Sequence, residues 1–276
     1  MILHRGMDRA TLDAAYNNSA AVADSAERVA SWAERSAAFR KHHPALLNQA
    51  YGPAPRQKID LFRSGAAGAP CFLFIHGGYW QRNAKEGFSV MAQGPLALGF
   101  DVAVVGYTLA PDARLTAIVG EIAAAIAWLR RRGPELGLDL ATLIVGGWSA
   151  GGHLTASAMG LSGVDAGLSV SGVFELEPIR LTYLNEKLRL DEAEAAAMSP
   201  IRHLPAKAGP LTLAYGGAEL PELRRQSEDF AAAWTGAGLK GELMALPNED
   251  HFTILDHLID PKGALCGALS GLLAKL

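Results

Sequence analysis

Cysteine is scarce in this chain: 276 residues hold only Cys71 and Cys266. Two thiols, one in an expected buried strand and one near the C-terminus, are too few to build a disulfide framework or a metal knot, and they fit a reducing compartment. Neither sign of charge dominates, since 25 Lys and Arg face 28 Asp and Glu. The one dense basic run, Arg130, Arg131 and Arg132, closes an apparent helix, where cations favour the C-terminal end of the dipole. Nucleic acid is therefore not an expected partner. No apolar run approaches the ~20 residues of a membrane span. The opening MILHRGMDRATLDAAY also lacks the apolar stretch of a signal peptide. The expectation is a cytoplasmic protein without membrane contact.

What is present is an ordinary globular balance, 50% hydrophobic and 19% charged, which excludes disordered and fibrous classes. Chains of this length with α/β patterning often form one unit, so a single domain over residues 1–276 is expected. Residues 8–42 are mostly helix formers without strand alternation, and the first 50 residues read as a helical N-terminal arm packed on a later core. A Gly/Pro-punctuated turn follows at Tyr51-Gly52-Pro53.

From Gln57 onward, short apolar runs alternate with longer helical patterns, which predicts an α/β class with a mainly parallel twisted sheet flanked by helices. Strands are expected at 58–62, 71–75, 102–107, 143–146, 168–171, 211–215 and 242–246. Ile118, Ile122, Ile126 and Leu129 recur at helical spacing and define a sheet-packing face. Pro221, Leu223, Phe230 and Trp234 mark another helix, opened by a proline tolerated at its first position. The charged stretch 175–200 interrupts the alternation and reads as a lid-like insertion above the strand ends.

Chemistry concentrates where the strand at 143–146 runs into Gly147-Trp148-Ser149-Ala150-Gly151 and then a helix. A strand-to-helix turn this tight needs small flanking residues, and it lifts the serine hydroxyl away from the backbone at the positive end of a helix. Other glycine-loop readings fail on residues. A phosphate loop starting at Gly146 would need Lys and Ser or Thr after Gly151 but meets Gly152 and His153, and Trp148 blocks a dinucleotide pattern.

The strand at 71–75 enters His76-Gly77-Gly78-Tyr79-Trp80, a loop able to turn backbone N–H groups outward. With the N–H of Ala150 after the serine, Gly78 and Tyr79 are the candidate oxyanion donors, each such donor being worth ~3 kcal/mol in a transition state.

In folds carrying this elbow the order along the chain is nucleophile, acid, histidine. His153 follows the serine too closely to fold back on it, His203 comes after the expected lid, and His257 sits in a helical pattern. His251, on a polar loop after the last strand, is the candidate general base. The acid should follow the strand at 211–215, where Glu219 stands nearest its end, with Glu222 and Asp250 as alternatives. Tyr79, Trp80, Trp148 and Phe252 are expected to wall an apolar, aromatic-friendly pocket.

With these residues in view, the sequence resembles the kynurenine formamidase (arylformamidase) branch of the α/β-hydrolases, close to the hormone-sensitive-lipase-like esterases. The resemblance rests on Tyr51-Gly-Pro with Lys58-Ile-Asp-Leu-Phe62, on His76-Gly-Gly-Tyr-Trp80 and on Gly147-Trp-Ser-Ala-Gly-Gly-His-Leu154. It extends to Gly217-Ala-Glu-Leu-Pro-Glu-Leu-Arg-Arg-Gln-Ser227 and Asp250-His-Phe252. It implies the α/β-hydrolase fold and a serine hydrolase of N-formyl aryl amides or simple esters that needs no metal or organic cofactor. This chain departs from the pattern at Glu219, where aspartate is frequent, and at Trp148, where histidine is.

The expected partner is a small ester or amide, and a homodimer is an option. Two other functions compete: an amidase or C–C hydrolase with the same Ser149, Glu219 and His251, and a non-catalytic ligand-binding protein built on the same fold.

Overall fold

The computed structural model describes residues 1–43 and 45–276. Its centre is one eight-stranded sheet. In chain order the strands are β1 (Ala45–Ala50), β2 (Lys58–Phe62), β3 (Cys71–Ile75), β4 (Asp101–Val105), β5 (Leu143–Trp148), β6 (Ala166–Val170), β7 (Leu211–Gly216) and β8 (Gly241–Leu246). In space they run β1-β2-β4-β3-β5-β6-β7-β8. From β4 to β8 every pair is parallel, while β1 and β2 are antiparallel additions at one edge.

The apolar runs of the sequence follow from this arrangement. Strands β3 to β7 are buried along their whole length, because helices cover both faces of a parallel sheet. Side chains alternate between two cores. Leu73 and Ile75 join Ile118, Ile122, Ile126 and Leu129 of the helix Leu115–Arg132 on one face. Phe72 and Phe74 meet Trp32 and Phe39 of the helix Ser25–His42 on the other, together with Leu265 and Leu269 of the C-terminal helix Ala264–Leu273.

Two expectations need correction. The first 50 residues are not wholly helical: after the helices Arg9–Ala15, Asn18–Ala21 and Ser25–His42 comes β1. Its sequence, ALLNQA, has no β-branched residue. It becomes a strand because the outer edge of β2 offers unpaired backbone groups, a tertiary demand that overrides weak local preference. A register shift between Leu46 and Gln49 accommodates Asn48, whose φ is 57° and whose N–H donates to Asp60 Oδ1 at 2.7 Å.

The stretch 175–200 is likewise more than an interruption of the strand–helix alternation. It carries the chain from β6 to its parallel neighbour β7 through the short helices Glu177–Arg180, Asn185–Leu188 and Glu192–Ala197. Leu176, Ile179, Leu184, Leu188 and Ala195 are buried in the core. Glu194 pairs with Arg114 and accepts the N–H of Thr116 at 3.0 Å. These charged contacts hold the segment against the helix Leu115–Arg132.

Strand ends also differ by a few residues. β6 begins at Ala166, where Ala and Gly carry no strand signal, and stops before Ser171, whose φ of 51° ends the extended backbone.

Candidate active site

Strand β5, in the middle of the sheet, ends at Trp148 and delivers Ser149 just beyond its C-terminal end in a strained conformation, φ 58° and ψ −115°. A left-handed backbone of this kind costs a non-glycine residue about 1–3 kcal/mol and persists only when its surroundings enforce it. They do so here through two glycines. A Cβ on Gly151 would lie 2.0 Å from the Ile75 carbonyl oxygen, and one on Gly147 would lie 2.6 Å from the same atom. The Ser149 N–H donates to the Val170 carbonyl at 2.8 Å, locking the turn to β6. The helix Ala150–Ala158 starts at the next residue, so the Ala150 N–H is one of the donors that an α-helix cannot satisfy internally.

The loop after β3 lies beside this turn. A Cβ on Gly77 would sit 2.6 Å from the Trp148 ring. Gly78, Tyr79 and Trp80 all have positive φ. Asn83 Nδ2 braces the loop by donating to the Gly77 carbonyl at 3.0 Å. Among the described residues, neither the Gly78 nor the Tyr79 N–H donates to a protein acceptor.

Glu219 and His251 meet across two loops, after β7 and β8. His251 Nδ1 lies 2.9 Å from Glu219 Oε2, and both side chains are almost wholly buried. The other carboxylate oxygen accepts the Ser171 hydroxyl and the Gly216 N–H, each at 2.6 Å. A carboxylate facing Nδ1 makes that nitrogen the protonated one in the neutral ring, leaving Nε2 as an acceptor. Among the described residues, Nε2 and the Ser149 hydroxyl have no protein hydrogen-bond partner, and both residues line one cavity of about 360 Å³.

The alternative acids are occupied elsewhere. Glu222 accepts the Tyr16 hydroxyl at 2.9 Å and pairs with Arg225 at 2.8 Å. Burial raises its pKa, but these hydrogen bonds outweigh that and hold it below the usual carboxylate range. Asp250 Oδ1 accepts the N–H groups of Phe252 and Thr253 at 2.7 and 2.8 Å, which shapes the turn carrying His251.

The remaining histidines have other duties. His153 is buried against the edge of Trp80, with Nε2 donating to the Met198 carbonyl at 2.8 Å. Burial pushes its pKa down to about 4, outweighing that hydrogen bond. His76, stacked on Tyr107, is also pushed down to about 4 by burial. His203 donates to the Ala196 carbonyl at 3.0 Å and His257 pairs with Glu249 at 3.1 Å.

Gly78, Tyr79, Trp148 and Phe252 line the cavity beside Ser149 and His251. Trp80, expected there, does not. It is fully buried beneath the loop in the core, where so large an apolar surface is best removed from water.

The other wall comes from the N-terminal helices, at Asn18, Ser19, Ser25, Ala26 and Val29, and no residue of 175–200 contributes. The arm is tied down by Tyr79, whose hydroxyl donates to the Tyr16 carbonyl at 2.8 Å and accepts from Asn18 Nδ2 at 3.2 Å. Sequence reading also misses Ser171, 48 residues from its carboxylate partner. Its only local mark is a small polar residue at a strand end.

Among the described residues, no three His, Cys, Asp or Glu side chains group as a metal site, and no helix is long and apolar enough to cross a membrane.

Known proteins resemble this chain in sequence and in fold. A family model described as BD-FAE matches residues 59–172. Kynurenine formamidase of Salmo salar is 31% identical over 231 residues, covering 78% of this chain and 77% of the relative. That of Danio rerio is 29% identical over 245 residues, 83% and 82% of the two chains. A crystal structure of a thioesterase candidate from Silicibacter sp. superposes with a TM-score of 0.84 at 30% identity, covering 94% of this chain and 98% of that one. The carboxylesterase EstE1, from a metagenomic library, shares the fold at a TM-score of 0.74 and 20% identity, over 91% and 97% of the chains.

Proposed function

Since the chain belongs to the kynurenine formamidase branch of the α/β-hydrolases, beside the hormone-sensitive-lipase-like esterases, we propose that it is a serine hydrolase. Its substrates are small carboxylic esters or N-formyl aryl amides, cleaved through an acyl-enzyme. The observation that carries this reading is the 2.9 Å contact between Glu219 and His251 Nδ1, which leaves Nε2 as an acceptor in the cavity that Ser149 lines.

In this reading the Ser149 oxygen attacks the substrate carbonyl carbon while His251 Nε2 takes the hydroxyl proton. The negative charge that develops on the carbonyl oxygen is held by the N–H groups of Gly78, Tyr79 and Ala150. Glu219 keeps the imidazole oriented and stabilises the imidazolium. The carbonyl re-forms as the C–O or C–N bond breaks, and His251 returns the proton to the departing alcohol or amine. Water, deprotonated by His251, then attacks the acyl-serine and releases a carboxylic acid, which is formate for a formamide. Tyr79, Trp148 and Phe252 would contact the acyl or aryl portion.

A volume of about 360 Å³ lies near the lower end of the ~300–1,000 Å³ typical of ligand pockets, which favours small substrates. A binding protein without catalysis would have no use for a strained serine beside unpaired amides. The test is covalent labelling by a fluorophosphonate, followed by turnover of N-formylkynurenine and of short and long p-nitrophenyl esters. Labelling that Ser149→Ala abolishes supports the reading, and a folded protein that neither labels nor turns over any substrate overturns it.

A further inference from the structure

The cavity beside Ser149 carries a recognition group that this chemistry does not use. Outside the proposed reacting groups, its polar side chains belong to Asn18, Ser19, Ser25, Arg82 and Asn83. Three of these are already engaged. Asn18 donates to Tyr79, Ser25 to the Ser19 carbonyl at 2.8 Å, and Asn83 to the Gly77 carbonyl.

Arg82 differs from them. Among the described residues it is the one Lys or Arg lining the cavity, and its exposed guanidinium has neither an acidic partner nor a hydrogen-bond acceptor. No Asp or Glu lines the cavity to oppose it. Other arginines near the site are committed: Arg56 to the carbonyls of Tyr107 and Asn83 at 2.9 and 2.5 Å, and Arg225 to Glu222 and Asp229.

The base of Arg82 is also held in place. Its N–H donates to the Gly78 carbonyl at 3.1 Å. Its own carbonyl oxygen sits where a Cβ on Gly78 would be only 2.6 Å away, an approach that only glycine, here at φ 121°, allows. Arg82 therefore extends from the same turn that presents the candidate oxyanion amides.

Building on the serine-hydrolase reading, we propose that Arg82 recognises a carboxylate on the substrate, so that the enzyme selects small anionic esters or formamides over neutral counterparts that lack the carboxylate. A planar guanidinium grips a carboxylate through paired hydrogen bonds, which gives orientation as well as attraction. The charge is carried by either the acyl group or the leaving group, and two substrate pairs separate these sources. p-Nitrophenyl hemisuccinate against p-nitrophenyl butyrate places it on the acyl side. 2-Formamidobenzoate against formanilide places it on the leaving side.

The readout is the anionic-to-neutral ratio of kcat/KM in the parent enzyme and in Arg82→Gln, a comparison that cancels the intrinsic reactivity of each substrate. The ratio should fall about tenfold in Arg82→Gln for one of the pairs, and less in Arg82→Lys, which keeps the charge but not the fork. High salt should shrink it in the parent, because the group is exposed. A ratio unchanged by Arg82→Gln in both pairs would overturn the proposal, as would equal loss on both members of each pair. Failure of every substrate together with absence of fluorophosphonate labelling would instead overturn the serine-hydrolase reading itself.

Discussion

The indole Nε1 of Trp148 donates to the backbone carbonyl of His251 at 2.7 Å, with the two rings 5.1 Å apart. Residue 148 immediately precedes the serine, and residue 251 lies on a loop 103 residues later. One hydrogen bond therefore ties the turn at Ser149 to the loop that carries His251. Trp148 also packs edge-on against Trp32 of the N-terminal arm, at 5.6 Å. Trp148→Phe keeps most of the ring but removes the donor. Its kcat should fall by about tenfold, the cost of a buried carbonyl losing its partner and a loop losing its anchor, while KM changes less. Steady-state kinetics with a short p-nitrophenyl ester, alongside the rate of fluorophosphonate labelling, measure this.

Ser171 supplies one of three hydrogen bonds that hold Glu219 in place. Ser171→Ala should lower kcat several-fold and reduce stability by about 1 kcal/mol, the usual net value of a buried hydrogen bond. Urea unfolding and kinetics on the same preparation separate the two effects. Activity unchanged in a variant with the expected loss of stability would mean that Glu219 is positioned without Ser171.

Glu219→Gln and Glu222→Gln should behave in opposite ways. The first removes the charge facing His251 Nδ1 and should cost ~10⁴-fold in kcat, as loss of the acid does in this type of arrangement. The second disturbs only the link from Tyr16 to Arg225. It should leave kcat within a few-fold while lowering stability by about 1 kcal/mol. A large loss of kcat confined to Glu222→Gln would reassign the acid.

His76 and His153 should make the fold sensitive to mild acid. Burial holds both near pKa 4 in the folded chain, against about 6.5 when unfolded. Between those values the unfolded state binds more protons than the folded one. Unfolding free energy is therefore complete above about pH 6.5 and declines as pH falls toward 4, by on the order of 3 kcal/mol for each histidine. His153→Gln keeps a donor for the Met198 carbonyl but cannot take up a proton, so it should flatten that decline. Urea unfolding across pH 4–7 checks the slope, and an identical slope in the variant would assign the acid sensitivity to other groups.

Short-range stereochemistry made much of this protein legible from its residues alone. The serine elbow is a local solution: Gly147 and Gly151 are needed wherever a strand must turn at once into a helix, so their spacing around Ser149 discloses the turn before any contact is known. The apolar runs of β3 to β7 likewise announce strands buried on both faces, and the order of serine, acid and histidine narrows the candidates to a few side chains.

What the tertiary structure alone decided are the contacts between distant segments. Ser171 comes to Glu219 because the parallel neighbours β6 and β7 end at the same level, and Trp148 meets His251 because the loop after β8 reaches back across β7 and β6 to the end of β5. β1 is a strand because β2 had an open edge. Trp80 went inward and the segment 175–200 packed into a crossover, because each had apolar area to bury. The wall of the cavity belongs to the N-terminal arm for a similar reason: Trp32 and Phe39 fix the helix Ser25–His42 on one face of the sheet, and the chain leading into it then passes over the site. Local geometry is written in neighbouring residues, whereas the roof of the site and the second support of its acid depend on how the sheet orders its strands.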